Sequence, residues 1–170
     1  MTREQRLRRV ALLCIHLTRN LAYTRAIHKF VVEKKGGDFW ITMQGNCLDT
    51  AVLEWCKLFA EKKGKHSWHR IVDDPDEFKS RLLEDLKITK EIWESKICEL
   101  RAYRDAFVAH LDSEETMNIP GMDLPFEMIT YYFNYILGYE NELNIFRGIP
   151  TNLNDYYQIH YDEAASRTKT

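Results

Sequence analysis

The chain has 170 residues, 45% of them hydrophobic and 29% charged, with a formal net charge of −2. That length suits one domain with a real core, and the charge balance excludes a global basic field, so any nucleic-acid binding has to come from a local patch. With only 7 glycines and 4 prolines there is too little punctuation for many short strands, and no apolar run approaches the roughly 18 residues of a membrane-spanning helix.

Residues Thr2 to Val32 predict one long helix. Leu7, Val10, Cys14, Leu17, Leu21 and Val31 recur at helical spacing with charged residues between them. Its start carries Arg3, Arg6, Arg8 and Arg9, which read as a solvated face, with contact to RNA as the functional alternative. The apolar run from Val10 to Ile15 is short and is followed by His16, Arg19 and Asn20, with no small-residue cleavage site. A signal peptide is therefore not expected, and the cytoplasm is the expected compartment.

Lys34-Lys35-Gly36-Gly37 stops this helix, and Asp38 caps a second one through about Lys62, ended by Gly64. Its apolar stripe is Trp40, Gln44, Cys47, Leu48, Ala51, Val52, Trp55, Leu58 and Phe59. A polar loop from Lys65 to Asp74 follows. Asp74-Pro75 opens a short third helix, with Asp76 and Glu77 in its first turn. Thr89 caps a fourth that runs to about Leu111. The stretch from Ser113 to Asp123 is a connector. Pro125 begins a fifth helix with Phe126, Ile129, Phe133, Ile136, Leu137 and Leu143 on one side, closed by Gly148-Ile149-Pro150. The tail 151–170, with Tyr156, Tyr157, Ile159 and Tyr161, is expected as an arm or short helix with a frayed end. The expectation is an all-α, antiparallel bundle of about five helices over residues 1–150.

The cysteines Cys14, Cys47, Cys56 and Cys98 lie far apart in apolar helical patterns, which suits reduced, core-filling thiols. Tyr131, Tyr132, Phe133 and Tyr135 ring the fifth helix. They point to cover on two faces, by the core and by a partner subunit, or to plain core packing with tyrosines at the surface.

Chemistry concentrates in helix four. Its inward stripe runs Trp93, Ile97, Leu100, position 104, then Phe107 or Val108, then Leu111, and position 104 is an arginine. A guanidinium in an apolar slot is costly unless paired or facing a solvated cleft. Arg104 and His110 sit roughly 120° apart around an ideal helix, yet a long arginine can reach a groove shared with the histidine. The pair suits phosphodiester cleavage, the arginine holding charge on a pentacoordinate phosphate and the imidazole moving a proton. The structural alternative has Arg104 reaching to a carboxylate on a neighbouring helix while His110 sits at the surface. A second candidate patch is the basic loop carrying Lys62, Lys63, Lys65, Trp68 and Arg70, where the cations would hold a phosphate backbone and Trp68 would stack on a base. A solvated helix end is the plain reading of such a run. His66 and His69 have a spacing compatible with a metal, but no second ligand pair is evident, so no metal or other cofactor is expected.

The run Tyr103-Arg104-Asp105-Ala106-Phe107-Val108-Ala109-His110-Leu111-Asp112 resembles the Arg-x(4–6)-His signature of the HEPN superfamily, in the version of abortive-infection-type members. Arg9 and His16 also fit the bare pattern, but lack the polar residue after the arginine and lie in the first helix. The resemblance implies a metal-independent endoribonuclease, its site formed between two copies of the motif across a homodimer, with RNA as substrate. Arg104 would stabilise the phosphate, His110 would be the acid–base residue, and Asp105 would orient one of them. It further implies a toxin or phage-defence effector, with any antitoxin or regulator a separate chain; no membrane partner is expected, since no apolar run is long enough to span. The alternative from another class is a non-catalytic helical module that binds protein or nucleic acid.

Overall fold

A computed structural model describes residues 1–33, 36–109, 118–138 and 145–168. Among them are six α-helices and no strand, a helical bundle. These are α1 (Arg3–Val32), α2 (Asp38–Trp55), α3 (Pro75–Asp85), α4 (Lys90–Tyr103), α5 (Asp123–Leu137) and α6 (Leu153–Arg167). His110 and Leu111 lie outside the described residues, as do Lys34, Lys35, Leu143 and residues 113–117 of the connector after helix four. No described helix is long and apolar enough to cross a membrane.

Local chemistry explains most of the helix starts. Thr2 and Gln5 form a reciprocal capping box on α1, with bonds of 3.1 and 3.2 Å between side chains and backbone N–H groups. Asp74 accepts from the Asp76 and Glu77 N–H groups at 3.0 and 2.9 Å, and Pro75 takes the first helical position of α3. Asn152 caps α6 in the same way. Asp38 does not cap α2: Gly37 takes that place, and Asp38 lies inside the first turn, where its charge still favours the helix N-terminus.

α1 is the central wall. At 30 residues it is about 45 Å long. The expected stripe is buried from Leu7 to Leu21, and a second set (Ala11, Ile15, Thr18, Ala22, Ala26) is buried as well. Helices on two sides account for this. α2 folds back along one face, where Thr24 donates to the Gln44 carbonyl at 2.9 Å and Phe30 meets Trp40 edge-on. α6 lies along the other, running in the same direction as α1: Tyr23 meets His160 and Glu163, and the hollow further along joins Ala26 and Phe30 to Tyr161 and Ala165. Of the two forms expected for the tail, an arm or a short helix, the helix is present, 15 residues long and seated on α1.

Aromatic rings tie the other elements into one core. Trp55 stacks on Phe59, and Phe59 meets Trp93 and Tyr132 edge-on at 5.7 Å each. Trp68 lies against both Phe78 and Trp93. Tyr132 and Phe133 are buried, while Tyr131 and Tyr135 pack edge-on against Phe78 of α3 and stay half-buried. The fifth helix spans Asp123–Leu137, with Gly138 at its C-cap. Cys14, Cys47 and Cys56 fill the core as expected, but Cys98 is exposed, since it points away from the Trp93–Leu100 stripe.

Candidate functional site

Two helices lose α-geometry where they face each other. α2 passes into a wide π-turn at Cys56–Ala60, closed by a 3.1 Å bond from the Glu61 N–H to the Cys56 carbonyl five residues back. α2 therefore stops being α-helical at Trp55, short of Lys62. α4 passes into a second π-segment at Arg104–Ala109. Such turns are rare and gather at functional sites. Across the seam, Tyr103 donates to Asp49 at 2.8 Å and the Cys56 thiol points to the Leu100 carbonyl at 3.7 Å.

Arg104 sits where this seam opens. Its side chain is only 17% exposed, in keeping with its place on the inward stripe after Trp93 and Leu100. Nε donates to Asp105 Oδ1 at 2.8 Å, and Nη1 donates to Glu61 Oε1 at 3.1 Å. The bond to Asp105 raises the arginine pKa most, against a smaller opposing effect of burial. The guanidinium is a fixed cation with its direction set by two carboxylates. Both carboxylates are substantially exposed, at 58% and 44%, so each pair is solvent-screened and exchangeable. The Cys56 thiol, within the electrostatic reach of Arg104, is fully buried, and burial pushes its pKa up to about 11.

The groove outside Arg104 holds about 520 Å³. Arg101, Lys62, Lys63 and Gly64 line it together with Glu61 and Arg104. The end of α2 thus joins the two patches that the sequence treats separately. Glu61 is the residue that sequence reasoning missed, although it stands directly before the lysines of the basic loop. A hollow of about 590 Å³ between the ends of α1 and α6 is larger, but its Lys29, Glu33 and Asp162 mix charges without an arginine.

The remaining candidates scatter. Lys65 is exposed and does not line the groove, and Arg70 faces a different depression. Trp68 is 3% exposed, with its ring against Phe78, Trp93 and His69. It cannot stack on a base, because the core already occupies its faces. His69 lies against Trp68 with Nδ1 3.4 Å from the Ser67 hydroxyl. Among the described residues no three His, Cys, Asp or Glu side chains gather as a metal would need. Two of the arginines at the start of α1 are engaged within the chain: Arg8 donates to the carbonyls of Ile145 and Arg147, and Arg3 pairs with Asp73.

The chain matches no protein-family model, no curated protein and no solved structure. Its chemistry therefore has to be argued from the groove itself. What the groove offers is a cluster of four cations, one of them held in a fixed direction, beside two carboxylates. That arrangement suits a bound phosphate, whose oxygens accept from a guanidinium fork.

Proposed function

We propose that this chain is a HEPN-like, metal-independent endoribonuclease in which Arg104 holds the scissile phosphate. The observation that carries the reading is a guanidinium fixed at 17% exposure on an apolar stripe, at the mouth of a groove shared with Arg101, Lys62 and Lys63. An RNA phosphate entering it displaces Glu61 from a screened ion pair and accepts from Arg104, while Asp105 keeps the fork aimed. The 2′-hydroxyl of the preceding ribose gives its proton to a base and attacks phosphorus. The P–O5′ bond breaks, and the leaving oxygen takes a proton. The cations stabilise the added negative charge of the pentacoordinate state. The products are a 2′,3′-cyclic phosphate and a 5′-hydroxyl. His110 is the acid–base residue that the resemblance supplies, and it lies outside the described residues. A homodimeric site, a role as toxin or phage-defence effector, a restraining partner chain and a cytoplasmic setting follow from the resemblance as well.

One observation favours a second reading. The Arg104–Glu61 bond links two segments of the same chain, as a purely structural ion pair in a non-catalytic binding module would. Substitution separates the two. With mixed RNA in EDTA, the nuclease reading expects cleavage that falls about a hundredfold or more in Arg104→Ala and His110→Ala, with melting curves close to wild type. It also expects Glu61→Gln to speed cleavage at low RNA concentration, because the competitor for Arg104 has lost its charge. Intact RNA with wild-type protein, or equal loss of thermal stability in Arg104→Ala and Glu61→Gln with no effect on RNA, leaves only the structural pair.

A further inference from the structure

Beyond the Arg104 groove, a second basic hollow lies at the far end of the loop that follows Lys63. Arg3 and Arg6 come from the first turns of α1, and Arg70 closes the 3-10 turn Trp68–Arg70. With Met1 and Ile71 they line a depression of about 360 Å³. A water molecule takes about 30 Å³ of liquid, so a phosphate group fits there with part of its hydration shell. Asp73 lines it too and pairs with Arg3, both side chains more than half exposed. Such a pair is weak and opens to a better acceptor. Arg6 is different. Its Nε is buried and has no hydrogen-bond partner among the described residues. A buried donor without an acceptor is destabilising, and the side chain that carries it lines the depression.

The two hollows are joined by one basic band of sequence. Lys62 and Lys63 line the first, Arg70 lines the second, and His66 between them lies near Arg9 and Lys57, whose charges, after burial, hold its imidazole below the usual range. From Lys63 to Arg70 the chain spans at most about 25 Å, within the footprint of a strand of several nucleotides. Among the described residues no aromatic ring lines either hollow, so the band contacts backbone charge and does not stack on bases.

We propose that Arg3, Arg6 and Arg70 form a second phosphate-binding site, which holds the backbone of a single-stranded RNA whose adjoining stretch lies in the Arg104 groove. The inference rests on the RNA-directed reading above, but it is read by binding instead of cleavage. The probe is a fluorescent 2′-O-methyl RNA of about 15 nucleotides, which has no free 2′-hydroxyl to attack. Its anisotropy is followed with the full chain in EDTA across a salt series. Arg6→Ala combined with Arg70→Ala should weaken binding tenfold or more, because two phosphate-holding cations are removed. It should also lower the slope of log affinity against log salt by about 0.7 for each phosphate no longer neutralised. Asp73→Asn should tighten binding severalfold, which a variant that had merely unfolded could not do. Unchanged affinity and slope in the double variant, or no binding by wild type, overturns the inference even where ordinary RNA is cut. Inorganic phosphate competing as well as RNA at equal phosphate concentration overturns the strand and leaves a free-anion site. Loss of binding in the double variant while wild type leaves ordinary RNA uncut sustains the inference and removes the nuclease reading.

Discussion

An indole in the core and a guanidinium at a groove show how far single residues can be read. Arg104 is legible because a charge interrupts an apolar period: Trp93 and Leu100 are buried, and position 104 follows on the same stripe. Trp68 is not. In sequence it is one aromatic among lysines and histidines, and nothing local says that Phe78 and Trp93 close over it. Its burial leads to a prediction with two arms. Trp68→Ala should cost about 3–5 kcal/mol, the usual range for emptying an aromatic site. Trp68→Phe should cost much less, because the buried Nε1–H has no acceptor among the described residues and its removal relieves an unmade hydrogen bond. Denaturant unfolding of both variants checks this, and Phe in place of Trp should leave RNA affinity unchanged. Glu61 is visible as a letter but not as a partner, since its bond to Arg104 crosses 43 positions of sequence.

At the scale of elements, capping chemistry is readable for α3 and α4, where Asp74 and Thr89 satisfy first-turn N–H groups. The two π-turns are not, because a widened turn has no composition of its own and arises where packing shifts the hydrogen-bond register. The length of α6 escapes a reading by apolar period because its apolar side chains are few. Much of what holds it is polar: Tyr23 donates to Glu163 at 3.1 Å, and His160 Nδ1 lies 3.2 Å from the same carboxylate. The bond from His160, then that from Tyr23, lowers the Glu163 pKa below its usual 4.5. A carboxylate depressed in the folded state contributes stability above its unfolded pKa and loses it as pH falls through the folded value. The melting temperature should therefore separate wild type from Glu163→Gln near neutral pH, and the gap should close as pH falls to about 3. A gap that stays constant across that range would show that the carboxylate does not clasp α6 to α1.

At the scale of the molecule, α6 is a wall of the core and not an appendage. Leu153 is 1% exposed within the main hydrophobic cluster, and Ala26 and Ile27 of α1 border the seam with Tyr161 and Ala164. Deleting residues 151–170 should destabilise the remainder by about 3 kcal/mol or more, the worth of one buried leucine plus newly exposed apolar surface. That corresponds to a melting point lower by roughly 10 °C for a chain of this size. A truncated protein that melts with wild type would return the tail to the status of an arm. The helices and most of their buried faces are legible in residue order, because helical period and capping act within a few residues. So is the misfit of an arginine at position 104. Packing of the folded chain is what sets Glu61 and Asp105 against that arginine, puts Trp68 in the core, and brings Arg3, Arg6 and Arg70 around one hollow. Most of these meetings join residues distant in sequence, and only the packing of whole helices brings them within reach.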